Sequence, residues 1–247
     1  MLFCLTINRD VFLQVNFVGL RTFKLNNKGI VKIEGNGEDV PINGETGSLV
    51  LVGEHENIGL QNLEVYGTLF IRGRAKNLEI YNVEVYGDVD GVGLMIDENF
   101  KCNNLSACTV NLSWLKAGKY LSVDCLSVEE YANLKNVHAN EINYNELRAR
   151  EAYLDGANAR NFKLDYSQIV RRLDCYGLKA DEVEIEHVRV GIGAIPSTFI
   201  CDRMDTKYLS ISNITFDGTI RLRNSRIDNF HNNYKGKIDT LGSEIKS

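Results

Sequence analysis

Residues 132–164 of the chain read ANLKNVHANEINYNELRAREAYLDGANARNFKL. In this stretch two apolar residues separated by one position recur every five residues, as in Ala132/Leu134 and Val137/Ala139. An α-helix repeats its apolar positions every 3.6 residues and a strand every 2, so neither produces this spacing. A chain that turns a corner every five residues does produce it.

The same spacing extends on both sides of this stretch. It begins at Leu105 and ends at Val190, with one inserted residue after Ile169. A longer period lies on top of it, because the segment 58–67 aligns with the segment 78–87, twenty residues later. Four five-residue faces therefore make one coil. A repeat of this length predicts a solenoid whose coils stack through parallel ladders about 4.8 Å apart.

We therefore expect an all-β protein, a right-handed parallel β-helix (β-solenoid) that is largely quadrilateral, with 20–21-residue coils. Residues 1–22 are less regular and are predicted to form an N-terminal cap, because a solenoid must cover its open strand edges. The solenoid is predicted over 23–231. The stretch 191–208 breaks the rhythm and is predicted to project as a loop, and 232–247 is predicted to form a C-terminal cap or tail.

Asparagine occupies one corner of the predicted coil repeatedly. Asn62, Asn82 and Asn213 each precede the apolar residue that follows the corner. Asparagine tolerates the left-handed backbone of tight corners. Stacked asparagines are therefore predicted to form a ladder of side-chain amides that bonds one coil to the next.

Composition narrows the classes of function. A net charge of −5 argues against a broad basic surface for nucleic acid, so a nucleic-acid partner is not expected. The six cysteines contain no C-x-x-C motif, and we expect reduced thiols in a cytoplasmic protein. The N-terminus lacks the features of a signal peptide, and no apolar run is long enough to span a bilayer, so no membrane partner is expected.

Two resemblances point to the same architecture. Ala132-Asn133-Leu134-Lys135-Asn136 resembles the unit of pentapeptide-repeat proteins, and the rest of 132–190 is similar to them in period more than in consensus. The stretch 78–87 looks more like a coil of the wider right-handed parallel β-helix group, which includes pectin-degrading enzymes and phage tailspikes. The first resemblance implies a binding protein and the second a polysaccharide-acting or virion protein.

The residues that carry catalysis in other proteins form no convincing catalytic set here. Asp88, Asp90, Asp97 and Glu98 cluster after a glycine corner, and we interpret them as a solvated turn. The four histidines stand outside any nucleophile or metal motif, and His187 falls on an outward position. We therefore predict no catalytic residues, no metal ligands and no cofactor.

Surface charge gives the one candidate binding site. Asp181, Glu182, Glu184 and Glu186 form an acidic strip on neighbouring faces. Some pentapeptide-repeat proteins mimic DNA with columns of carboxylates, but arginines such as Arg160 interrupt such columns here.

The leading hypothesis is a non-enzymatic binding protein whose rigid flank engages a protein partner. Its sharper form is an inhibitor of a host enzyme, encoded by a virus or mobile element and acting in the host cytoplasm. The first alternative is a polysaccharide-binding or polysaccharide-degrading β-helix. The second is a structural or virion component that assembles with copies of itself through the solenoid ends.

Overall fold

A computed structural model of the protein describes residues 3–6, 11–14, 23–191 and 196–246. These residues form a single sheet of 23 strands, every strand pairing between coils is parallel, and there is no helix among them. No segment in these ranges is therefore a helix that is long and apolar enough to cross a bilayer. The strands are β1 (Phe3–Thr6), β2 (Val11–Gln14), β3 (Phe23–Val65), β4 (Leu69–Val85), β5 (Asp88–Asp90), β6 (Met95–Ala107), β7 (Thr109–Asn111), β8 (Lys116–Ala117), β9 (Tyr120–Val128), β10 (Tyr131–Asn133), β11 (Glu141–Asn145), β12 (Arg148–Tyr153), β13 (Asn161–Asp165), β14 (Gln168–Asp174), β15 (Lys179–Glu186), β16 (Arg189–Val190), β17 (Thr198–Ile200), β18 (Asp205–Ser212), β19 (Thr215–Phe216), β20 (Thr219–Arg221), β21 (Arg226–Asn232), β22 (Lys237–Asp239) and β23 (Glu244–Ile245).

The register of the ladder confirms the solenoid. Leu49 in β3 pairs with Leu69 in β4, and Phe162 in β13 pairs with Val183 in β15. Each residue thus lies over the residue about 21 positions earlier, and the chain makes about 10 turns. The right-handed sense of the coil stays a prediction.

The apolar pairs of the five-residue repeat fill the interior, as the spacing predicts. From Leu105 to Val190 nearly every member of these pairs is buried, and only Ala139 and Ala159 are partly buried. Tyr144 and Phe162 are the bulkiest of these inward residues, and their rings pack edge to face with centroids 5.8 Å apart. Burying one large apolar side chain contributes about 1.5–3 kcal/mol, so the continuous column of such residues is the main stabilising element of the fold.

One corner of the coil is built from residues in the left-handed backbone conformation. We call this series the corner column, and its φ angles lie between 47° and 58°. Asn82 Nδ2 donates to Asn62 Oδ1 at 2.8 Å, and Asn104 Nδ2 donates to Asn82 Oδ1 at 2.9 Å. These bonds confirm the predicted amide ladder in the N-terminal part of the corner column. Asn213 is also in the corner column, but its side chain contacts His187 instead. The members are Asn62, Asn82, Asn104, Cys125, Glu146, Tyr166, His187 and Asn213.

A second corner depends on short polar residues that fold back onto the backbone. Asn133 Oδ1 accepts the Lys135 N–H, and Asp174 Oδ1 accepts the Tyr176 N–H. A side chain that accepts the N–H two residues later stabilises a tight turn. A left-handed residue such as Asn136 completes this corner.

The strands at both ends continue the ladder. β1 and β2, which lie in the segment predicted as a cap, pair with β3 at the same step of twenty residues as the coils above. β22 and β23, in the segment predicted as a cap or tail, pair with β20 and β21. The backbone of these segments forms the same parallel pairs as the central coils.

Strands occupy part of the segment 191–208 that the sequence predicts to project as a loop. Leu173 pairs with Phe199, 26 residues later, so this coil contains about five extra residues. Because Ile169 still pairs with Val190, the extra residues lie between Val190 and Thr198. Residues 192–195 are outside the described part of the chain. β17 and the start of β18 occupy 198–208 and belong to the stack.

Replacing an inward residue with a carboxylate is expected to disrupt the middle of the stack. Ile185→Asp or Val137→Asp would bury an unpaired charge and should cost about 4 kcal/mol or more of the free energy of unfolding. Urea unfolding followed by circular dichroism measures this cost. Glu182→Asp, which alters an outward neighbour, is the control and should change stability by less than about 0.5 kcal/mol. Wild-type stability in both inward variants would contradict the inward assignment.

The amide ladder is expected to contribute measurably to stability. Asn82→Gly keeps a residue that accepts a positive φ but removes two hydrogen bonds, so the expected loss is about 1–2 kcal/mol. Asn136→Gly is the matched control, since Asn136 has φ of 54° and its side chain makes no hydrogen bond among the described residues. Equal losses in the two variants, measured by urea unfolding, would show that the ladder contributes nothing.

Candidate binding face

The acidic strip lies on a flat sheet that we call the polar face. This face consists of β11, β13, the end of β15 and the strand segments paired with them in β9 and β18. We call each of these five strand segments a rung. Each rung contributes three outward side chains, and the register aligns them with the outward side chains of the neighbouring rungs in straight columns. The outward residues are Tyr120, Ser122, Asp124, Glu141, Asn143, Asn145, Asn161, Lys163, Asp165, Glu182, Glu184, Glu186, Tyr208, Ser210 and Ser212.

The structure places three of the four predicted site residues on one rung. Glu182, Glu184 and Glu186 point outward from β15, because Val183 and Ile185 between them are fully buried. Asp181 lies at the preceding corner, where its carboxylate is 2.8 Å from Lys207 Nζ. The strip is thus a row of three carboxylates along one strand, with the fourth turned to the adjacent face.

Two of these carboxylates have partners on neighbouring rungs. Glu184 lies 3.6 Å from Lys163 Nζ, which also lies 3.3 Å from Asp165. Burial disfavours the charged form of Lys163, but the hydrogen bond and charge of Asp165 and the charge of Glu184 outweigh burial and raise the pKa of the ammonium group. Glu186 Oε1 accepts the Ser212 hydroxyl at 2.9 Å. Glu182 is exposed and makes no such contact among the described residues.

Only one column of the strip has acidic residues in successive rungs. The columns that contain Glu182 and Glu184 continue downward as Asn161 and Lys163. Upward they continue as Tyr208 and Ser210. A protein that imitates the DNA backbone needs carboxylates over many rungs, and here only Asp165 continues the row, beneath Glu186. The strip therefore lacks the run of carboxylates over many rungs that imitation of a duplex requires.

A groove of about 340 Å³ runs across the polar face below the strip. Its lining includes carboxylates from two rungs, two amides, one phenol and one ammonium group. Asn143 lies in this groove, and its Oδ1 atom is buried and makes no hydrogen bond among the described residues. A buried acceptor without a donor costs about 1–3 kcal/mol, so this amide oxygen destabilises the fold locally. The polar and charged lining residues are Tyr120, Glu141, Asn143, Asn161, Lys163, Glu182 and Glu184.

The edge of the polar face next to the corner column carries a cluster that the sequence analysis missed. Asp165, Glu186 and His187 offer donor atoms that all lie within 4.8 Å of one another. His187 Nδ1 lies 2.9 Å from Asp165 Oδ1, and the imidazole stacks on Tyr166 with ring centroids 4.5 Å apart. The missed signal was the coil period: Asp165 precedes Glu186 by 21 residues, so the register pairs them directly. Viewed along the linear sequence, His187 is an isolated outward residue.

The other carboxylate cluster noted in the sequence has structural partners. Asp90 pairs with Arg72 at 2.8 Å and Asp97 pairs with Arg74 at 2.8 Å. Asp88 accepts a hydrogen bond from the Thr109 hydroxyl, and Glu98 pairs with Lys119. Each acid has its own partner on a neighbouring coil. These contacts join coils, and all four acids lie in the strands β5 and β6, so the interpretation of this segment as a turn was wrong for these residues.

Comparison with protein-family models, with curated proteins and with solved structures gives no match. The class that the fold defines is the parallel β-solenoid with coils of about 21 residues. Membership of the pentapeptide-repeat family stays a prediction.

Removing the unpaired amide from the groove is expected to leave the fold intact. Asn143→Thr deletes a buried acceptor that has no donor and introduces a residue that suits strands, so stability should stay within about 0.5 kcal/mol or rise. Asn77→Thr is the matched control on the same sheet, because Asn77 donates to Asn57 and accepts from Asn99. The control should lose about 1–2 kcal/mol in urea unfolding. A comparable loss in Asn143→Thr would show that its amide already has a structural partner.

Proposed function

We propose that this chain is a non-enzymatic binding protein that holds a Lys- or Arg-rich segment of a protein partner on its polar face. The observation that carries the proposal is the groove beside the acidic strip, whose lining has three carboxylates, of Glu141, Glu182 and Glu184, and only one ammonium group, that of Lys163. A guanidinium or ammonium group supplies several N–H donors together with a positive charge. The partner chemistry that complements this groove is therefore cationic.

The spacing of the carboxylates suits an extended peptide. Alternate residues of a strand are about 6.6–6.8 Å apart, so Glu182, Glu184 and Glu186 form a row with that spacing. An extended segment laid along the rung presents its own alternate side chains at the same interval. Arginines at alternate positions would then face successive carboxylates. The exposed Tyr208 on the rung above adds the kind of aromatic side chain that is enriched at protein interfaces.

The rigidity of the face lowers the cost of binding. Its side chains project from strands that are paired on both sides, and the residues between them are buried in the core. A preformed surface loses little conformational entropy when a ligand binds. Lys163 opposes the proposal locally, since its ammonium group neutralises part of the strip. We therefore expect the binding segment to displace Lys163 from Glu184 or to avoid this position.

The inhibitor hypothesis is the sharper form of this proposal. If the partner is an enzyme with a basic substrate site, occupation of that site by the polar face would block it. The polysaccharide alternative uses the same groove, because sugar hydroxyls are also donors, and it is tested by binding to a glycan array. Assembly through the solenoid ends would instead appear as concentration-dependent oligomers in sedimentation.

Charge reversal of the strip tests the proposal. The probe is a fluorescent peptide with the sequence Arg-Ala-Arg-Ala-Arg, and the readout is fluorescence anisotropy at several salt concentrations. Glu182→Lys/Glu184→Lys is expected to weaken binding roughly tenfold or more, because two attractive contacts become repulsive. Wild-type binding is expected to weaken as salt rises.

The control places the same charge change on another face. Glu129 and Glu130 are exposed and make no ion pair among the described residues, so Glu129→Lys/Glu130→Lys changes net charge equally. The control is expected to retain affinity to within about threefold. Equal weakening in both double variants would mean that net charge alone attracts the peptide, and the proposed site would be rejected.

A further inference from the structure

We infer that Asp165, Glu186 and His187 form a binding site for a divalent transition-metal ion of the Zn²⁺ class. The cluster lies at the edge of the polar face and shares Glu186 with the acidic strip. The inference does not rest on the proposed function, since a metal ion can occupy this corner whether or not a peptide binds. No local sequence motif marks the site, which forms only when two coils stack and bring Asp165 beside Glu186.

The donor atoms are close enough for one ion. Zinc takes imidazole nitrogen and carboxylate oxygen ligands at about 2.0–2.2 Å, so ligands around a tetrahedral ion lie about 3.4 Å apart. His187 Nδ1 and Asp165 Oδ1 are 2.9 Å apart, and all three donor atoms fall within 4.8 Å. Separating the first pair by about half an ångström and drawing Glu186 inward would complete three corners of a tetrahedron. His187 is 38% exposed, so the fourth position is open to water.

Each ligand residue is held by its own neighbours. The Asp165 side chain is only 10% exposed, and its Oδ1 accepts the Tyr166 N–H at 2.9 Å. Glu186 Oε1 accepts from Ser210 and Ser212, and Oε2 makes no hydrogen bond among the described residues. Partners of this kind orient metal ligands and are part of a metal site. Asp165 is therefore oriented by its neighbours, and one carboxylate oxygen of Glu186 is available to an ion.

The histidine is fixed from both sides. Its ring stacks on Tyr166 with an interplanar angle of 2°, and its Nε2 lies 3.1 Å from the Asn213 side-chain amide. When a metal ion takes Nδ1, the single proton of the neutral ring must reside on Nε2. Asn213 can accept a hydrogen bond from the Nε2–H group after its amide rotates to present Oδ1, because amide oxygen and nitrogen occupy similar positions. The ring thus exchanges its hydrogen bond to Asp165 for a bond to the ion without losing its proton.

The local charge favours a cation, with one opposing group. Two carboxylates in the cluster and the neighbouring Glu184 attract a divalent ion, and Lys163 lies 3.3 Å from Asp165 Oδ2. Mixed imidazole and carboxylate ligands suit Zn²⁺ better than Mg²⁺ or Ca²⁺, which prefer oxygen alone. Lys163 therefore acts as a competing cation, and its removal should strengthen metal binding.

Calorimetric titration of the full chain with ZnCl₂ tests the inference. We expect one ion per chain at this site and a binding constant at least roughly tenfold weaker in His187→Asn and in Glu186→Gln. His187→Asn is chosen because asparagine occupies the same left-handed corner at Asn62, Asn82 and Asn104, so the backbone should be retained. Lys163→Ala is expected to bind more tightly. Co²⁺ in place of Zn²⁺ should show visible absorption bands that disappear in His187→Asn.

Matched controls separate this site from other ligands. Glu184→Gln removes a carboxylate on the same rung outside the cluster, and Cys125→Ser removes a thiol in the same corner column. Both should bind Zn²⁺ to within about threefold of the wild type. Absence of Zn²⁺ binding, equal affinity in His187→Asn, or loss of binding in Cys125→Ser would each overturn the inference. Peptide binding measured in a chelator tests the proposed function separately.

Discussion

Parallel hydrogen bonding between coils is the constraint on which the other features depend. It fixes each residue over its counterpart about 21 positions earlier, so a single position in the coil becomes a column along the whole molecule. Inward columns must be largely apolar, because a polar group buried without a hydrogen-bond partner is costly. Corner columns must tolerate a left-handed backbone, and asparagine both tolerates it and bonds to the asparagine below. The chemistry of the outward columns is less restricted, and there the charged and amide groups of the polar face are placed.

The parts of the structure that repeat could be predicted from the sequence. The pairs at five-residue spacing identified the buried residues, and Asn62 and Asn82 indicated an amide ladder that the structure extends to Asn104. The bounds of the loop were too wide, because glycine and proline near 196 suggested an irregular stretch through 208. The actual change was a few added residues, after which Phe199 resumed its column. Periodicity fixes inward positions well, but it does not show how far an interruption extends.

The candidate sites were only partly predictable, and for a physical reason. Glu182, Glu184 and Glu186 alternate within one strand, so their common direction follows from local geometry. Other features depend on which residues neighbouring coils place side by side. They are the cluster around His187 and the Asn143 amide oxygen without a donor, and a search for motifs along the chain does not detect them. Arranging the sequence in rows of one coil would have placed Asp165 beside Glu186. The identity of a partner depends on a second molecule, about which the repeat carries no information.

The extra residues between Val190 and Thr198 indicate where the repeat tolerates an insertion. The ladder is intact immediately before and after them, since Ile169 pairs with Val190 and Leu173 pairs with Phe199. The entropic cost of closing a loop grows only slowly with its length. The segment between Val190 and Thr198 is therefore a permissive insertion point, at which evolution or an engineer can add residues without disturbing the paired strands on either side.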